Sequence, residues 1–141
     1  MALALGNMEG SGTVDQPIRV KEGCCITREV GEGGKPSITH WEALSPSDDA
    51  TLLRLWLETG RTHQIRVHMA YLGHPLLGDT KYGKNREDRQ LGYRFQALCA
   101  YQVTFSFTGE EGPLSYLNGK TFTVPQVDFV KELFGEEAGK L

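Results

Sequence analysis

The feature that most constrains the fold is LLRLWLETGRTHQIRVHMAYLG, residues 52–73, where the apolar period changes in mid-stretch. Leu53, Leu55 and Leu57 alternate with Arg54, Trp56 and Glu58, which is the period of a half-buried strand. Past Gly60, the residues Ile65, Met69 and Leu72 fall at i, i+4 and i+7, the core-facing stripe of a helix. Thr62 stands where a hydroxyl would cap that helix, and Gly73 where a left-handed residue would end it. A chain that passes from strand to helix this abruptly has to pack helix against sheet.

The remaining segments supply the sheet. Residues 1–12 end in EGSG and read as a flexible leader before a single domain over 13–141. The turn clusters VGEGGKP (30–36) and SPSDDA (45–50) bracket SITHWEAL, which pairs with the alternating strand as a predicted β-hairpin. After a glycine- and charge-rich loop (78–94), QALCAYQVTFSF is strand-like, with Cys99, Tyr101, Val103, Phe105 and Phe107 on one face. Asn118-Gly119 ahead of KTFTV signals a last hairpin. In VDFVKELF, the pairs Phe129/Leu133 and Val130/Phe134 predict a short amphipathic helix. The expected class is α+β: a mostly antiparallel sheet, a capped helix over about 62–72 and a short C-terminal helix.

Composition narrows the functional classes. At 39% hydrophobic and 23% charged residues the chain is ordinary for a globular domain. The net charge of −3 hides a basic middle, because Arg54 to Arg94 holds eight Lys/Arg against four acids, whereas the flanks are acidic. Such a patch suits an anion or RNA footprint, and equally a solvated surface. No apolar run approaches the roughly 20 residues that span a bilayer. Three cysteines, two of them adjacent, make a poor disulfide framework, and without a signal peptide the expected setting is the cytoplasm.

The chemistry gathers at the start of the predicted helix. At 100° per residue, His63 and Arg66 share a face in its first turn, where free amides and the helix dipole favour an anion. Arg61 adds a further donor, although Arg61 and Arg66 would serve equally as surface partners of Glu58 and another acid. His63 and His68 lie five residues apart, about 140° around the helix, so they cannot chelate one metal ion as an i, i+4 pair could. His68 reads as a hydrogen-bonded core histidine, and Cys99 as a buried strand residue with apolar neighbours.

Residues 60–83, GRTHQIRVHMAYLGHPLLGDTKYG, resemble without a gap the pattern GR(T/S)HQ(I/L)RVHxxxxGxPxxGDxxYG of the RluA-type pseudouridine synthases. KPSITHWEAL and FQALCAYQVTFSF resemble flanking strands of the same family, with Cys99 where the family usually has histidine, so that the resemblance spans about residues 34–125. It implies part of a pseudouridine synthase catalytic fold, its C-terminal part, acting on ribosomal or transfer RNA without a cofactor or metal. It also implies that Arg66 holds a nucleophilic aspartate, and that Arg61, His63, Gln64 and Arg66 contact RNA or order the catalytic loop. The family's aspartate sits in an RLD motif, and none of Asp15, Asp48, Asp49, Asp79, Asp88 and Asp128 stands in that context. Asp79, in the GD element, is expected to fix its turn. An Arg66 without its carboxylate would leave the site open to water, ions or a partner chain.

Two other readings fit the same residues. One is a non-catalytic RNA-binding module that kept the basic face. The other is a protein-interaction role in which an open sheet edge pairs with a second copy or with the missing N-terminal part.

Overall fold

The computed structural model describes residues 1–47, 49–83, 93–109 and 112–135, and the chain divides into two compact units, Met1–Leu98 and Cys99–Leu141. The first unit is built on an antiparallel sheet of β1 (Ala2–Leu5), β2 (Ser11–Asp15), β5 (Ile38–Pro46) and β6 (Ala50–Leu57), in the order β1-β6-β5-β2. A separate ribbon pairs β3 (Ile18–Val20) with β4 (Arg28–Val30). The helix α1 (Gln64–Tyr71) follows β6 directly.

The β5/β6 hairpin is the one read from the alternation, with Trp41 opposite Leu55 and His40 opposite Trp56. The register slips by one residue between Ala43 and Ser45, a bulge that accommodates the turn beyond. In β6 alternation holds only from Leu53 to Trp56, since Leu57 is exposed like its neighbour. From Ala50 to Leu53 every residue is buried, because β1 covers that end of the strand.

β1 lies inside the stretch expected to be a flexible leader, and this is a correction. Ala2, Leu3 and Ala4 are fully buried. On one side β1 pairs with β6, Ala2 opposite Leu53. On the other, Leu3 N donates to the carbonyl of Ala97 (3.0 Å), the Leu3 carbonyl accepts from Leu77 N (2.9 Å), and Leu5 N donates to the carbonyl of Pro75 (2.9 Å). With both edges bonded and small apolar side chains packed beside Met69 and Leu76, the segment is an inner strand of the core.

α1 differs at its start from the expected cap. His63, not Thr62, occupies the N-cap position, with φ 57° and ψ 21° and no capping hydrogen bond from its side chain. The buried residues of α1 are Gln64, Val67, His68 and Met69. Ile65 only packs partly on the core, and Leu72 is exposed, so the core face is rotated from the predicted stripe. The C-terminus is as expected: Gly73 at φ +88° donates to the carbonyl of Ala70, and His74 N to that of Met69, the double bond of a Schellman ending.

The second unit contains β7 (Gln102–Thr104), β8 (Thr121–Thr123) and α2 (Asp128–Phe134). β7 and β8 pair antiparallel. The turn before β8 has Asn118 at φ −56° and ψ 129° with Lys120 N bonded to the carbonyl of Leu117. That is a type II turn, not the primed turn that Asn-Gly favours in tight hairpins. Cys99 is half-buried and precedes β7, so it is not the buried strand residue expected. Lys84, Arg86, Glu87, Asp88 and Arg89 of the basic middle lie outside the described residues. No helix among the described residues is long and apolar enough to cross a membrane.

Candidate functional site

The centre of the site is an ion pair. Arg66, in the first turn of α1, donates Nε to Asp79 Oδ2 and Nη2 to Oδ1, both at 2.7 Å. The Asp79 side chain is fully buried and that of Arg66 is 13% exposed. Asp79 Oδ1 also accepts from the backbone N–H groups of Lys81 (2.9 Å) and Tyr82 (3.0 Å), so the carboxylate fixes its own turn as well. Burial alone would raise its pKa. The Arg66 guanidinium and those two amides outweigh burial and hold the carboxyl below the usual carboxylate range. Just before it, Gly78 has φ +75°, and a Cβ there would lie 2.3 Å from the Phe95 carbonyl oxygen, so only glycine lets the loop pass at this point.

Tyr82 organises the other side of the arginine. Its ring lies under the guanidinium, 5.1 Å from Arg66 Cζ, a cation–π contact. Its hydroxyl oxygen accepts the backbone N–H of Arg28 (3.0 Å) and pairs with His63 Nδ1 (2.8 Å). The Arg28 amide and the His63 ring thus meet on one phenolic oxygen, which ties the imidazole to the loop. Burial first, then the cations Arg66, Lys81 and Arg28, hold His63 below the ordinary imidazole range, while Asp79 opposes them. The left-handed backbone of His63 is a local strain that turns its ring toward Tyr82 and not along the helix.

One edge of the Arg66 guanidinium is thus occupied by Asp79 and one face by Tyr82. Nη1 has no hydrogen-bond partner among the described residues, so the Nη1/Nη2 edge is available to a second acceptor. Arg66 is therefore not left without a carboxylate, which corrects that part of the expectation, although Asp79 is a different residue from the family's RLD aspartate.

Gln64 was expected to contact RNA or to order the catalytic loop, and its burial leaves it the ordering role. It is 2% exposed and its amide is fully committed. Oε1 accepts from Thr59 Oγ1 and Arg61 N (both 2.9 Å), and Nε2 donates to the Ile38 carbonyl (2.9 Å) and Thr39 Oγ1 (3.1 Å). It braces α1 against β5. Arg61 is half-buried at the surface, with Nε donating to the Pro36 carbonyl (3.1 Å).

His68 is the core histidine expected. Thr39 receives the Gln64 amide and gives its hydroxyl proton to His68 Nδ1 (2.8 Å), while His68 Nε2 donates to the Gln16 carbonyl (3.0 Å). Burial pushes its pKa down. A depressed folded pKa means that the unfolded chain takes up the proton first, so stability is full above the unfolded value, about 6.5, and is lost as pH falls below it. The thermal midpoint of the first unit is expected to fall between pH 8 and pH 5. His68→Gln should flatten that profile, His63 contributing what slope remains. An unchanged profile in His68→Gln would show that His68 protonates in place.

Tyr82 and Arg28 are the site residues that the sequence reading did not single out. Tyr82 was within reach, because it is the aromatic of the GDxxYG pattern. Arg28, in the plain segment REV, carried no signal. Among the described residues no group of three or more His, Cys, Asp or Glu side chains is placed to hold a metal ion.

The profile of the family described as RNA pseudouridylate synthase matches residues 1–71, half of the chain. The chain is 44% identical over 122 residues to the ribosomal large subunit pseudouridine synthase D of Vibrio parahaemolyticus, covering 78% of this chain and 38% of that protein. It is 50% identical over 82 residues to the enzyme of the same name from Escherichia coli K12, covering 58% of this chain and 25% of that one. Among solved structures, human RNA pseudouridylate synthase domain containing 1 superposes with a TM-score of 0.61 at 27% identity, over 93% of this chain and 62% of that one. The chain belongs to the RNA pseudouridylate synthase family, in its RluA-type branch. It spans about a quarter to two fifths of the length of these curated relatives.

Proposed function

We propose that this chain supplies the arginine-bearing half of a pseudouridine synthase active site acting on ribosomal RNA. The observation that carries this reading is Arg66, half-buried in the family's own motif and pinned on one edge by Asp79 and on one face by Tyr82, with Nη1 left without a partner among the described residues. In the isomerisation the bond from ribose C1′ to uracil N1 breaks and a bond from C1′ to C5 forms, the C5 proton being lost and N1 gaining one. The target base has to leave its stack first. The chain's own groups would orient the reactants. The free edge of Arg66 is suited to hold a nucleophilic carboxylate, always charged and offering two parallel donors. Asp79 is not that nucleophile, because both its oxygens are engaged and its side chain is buried. His63, held below the ordinary imidazole range, and Arg61 are the side chains of this turn that would meet RNA. The relatives named for the large ribosomal subunit point to ribosomal RNA as the substrate class.

The RLD motif is absent from these 141 residues. The chain alone is therefore expected to form no pseudouridine in ribosomal RNA, scored by mass spectrometry of nucleoside digests. The same chain extended by the in-frame coding sequence upstream should do so, and Arg66→Ala in that form should abolish the product. Turnover by the 141 residues alone would overturn the reading. RNA binding with no turnover in the extended form would favour a non-catalytic RNA-binding module.

A further inference from the structure

Beside the Arg66 site the first unit carries a second feature, a groove of about 400 Å³ between the β3/β4 ribbon and the Gly60–Thr62 turn. Arg19, Arg28, Lys35 and Arg61, drawn from four separate segments, all line it. Arg19 is paired with Glu29 at 2.8 Å. The other three have no carboxylate partner among the described residues. Arg28 gives Nη1 to the carbonyls of Cys25 (2.9 Å) and Thr27 (3.4 Å), Arg61 gives Nε to that of Pro36, and the side chain of Lys35 is exposed with no partner among the described residues. No acid lines the groove among the described residues.

Its floor is formed by backbone. A Cβ on Gly34 would lie 2.7 Å from Ile18 C and 2.9 Å from the Gly31 carbonyl oxygen, so the turn presses against β3 and leaves the space above it clear. Like charges gathered around one groove repel, and an anion in the groove relieves that cost. The groove also adjoins the site, because the backbone N–H of Arg28 holds the Tyr82 hydroxyl that positions His63.

We infer that this groove carries the RNA backbone past the Arg66 site, with Arg28, Lys35 and Arg61 each neutralising a phosphate. The inference rests on the pseudouridine synthase reading, and it adds a track that the family's motif does not contain. Cations spread over separate segments suit a repeating chain of phosphates better than one compact anion, which a convergent nest of donors would hold.

The test measures binding of the 141-residue chain to a fluorescein-labelled oligouridylate and to a labelled ribosomal RNA stem–loop, by anisotropy over a range of salt. Lys35→Ala and Arg61→Ala are each expected to weaken binding to both RNAs and to reduce the slope of log K against log salt by about one. Their thermal midpoints should stay that of the unaltered chain, since neither side chain holds an ion pair. Arg54→Ala, which removes a cation outside the groove, is expected to change neither affinity nor slope. Full-strength binding with an unchanged slope in both groove variants would overturn the groove and leave the synthase reading standing. Failure of the unaltered chain to bind either RNA at low salt would overturn both. If inorganic phosphate competes as well as unlabelled oligouridylate at equal phosphate concentration, the groove is a single-anion pocket and the inference falls.

Discussion

Replacing Asp79 with alanine is expected to lower the unfolding free energy of the unit Met1–Leu98 by about 3–5 kcal/mol, the cost of leaving one member of a buried ion pair alone. The change removes two charge-assisted bonds to Arg66 and the acceptor that holds the amides of Lys81 and Tyr82. It also frees the loop that places Tyr82 under the guanidinium. Urea titration followed by tryptophan fluorescence reads this directly, because both tryptophans, Trp41 and Trp56, lie in the β5/β6 hairpin of the same unit. The sign with pH is fixed. A carboxyl held below its unfolded value stabilises the fold above about pH 4, and that contribution fades as pH falls through the depressed folded value. The gap between the two proteins should therefore narrow in strong acid. A loss below about 1 kcal/mol at neutral pH would mean that Arg66 is solvated as a surface ion would be.

The second large effect is expected at Leu3. Leu3→Ala should cost about 2–5 kcal/mol, the range for emptying a fully buried leucine site. Leu3 is fully buried, lies opposite Leu52 and is bonded through its backbone to Leu77 and Ala97. A flexible leader would instead tolerate the change within about 0.5 kcal/mol, as exposed sites do. The same urea titration separates the two outcomes.

The contrast between these two residues shows what the sequence made legible. The β5/β6 hairpin, the end of α1 at Gly73 and the C-terminal α2 were readable because local signals set them: a period of two, a glycine in a left-handed position, apolar pairs four apart. β1 was not, because ALAL is short and nothing near it shows that Leu77 and Ala97 will close its free edge. The rotated face of α1 has a similar cause. Gln64 and His68 count as polar by pattern, yet Thr59, Arg61, Ile38, Thr39 and Gln16 satisfy every polar atom they bury. At the site, the motif singled out Arg66 and assigned Asp79 its turn, and Asp79 does hold the amides of Lys81 and Tyr82. Their bond to each other depends on how the loop after α1 folds back, which residue spacing does not encode.

The position of β1 also bears on the order in which the fold can form. Of these residues it is among the earliest to be synthesised, yet its partners in β6, at Pro75, at Leu77 and at Ala97 all follow much later. Until Ala97 has left the ribosome, β1 is an apolar strand with at least one open edge, the kind of segment that pairs with the wrong chain. β1 therefore depends on contacts distant in sequence, the kind that slow folding.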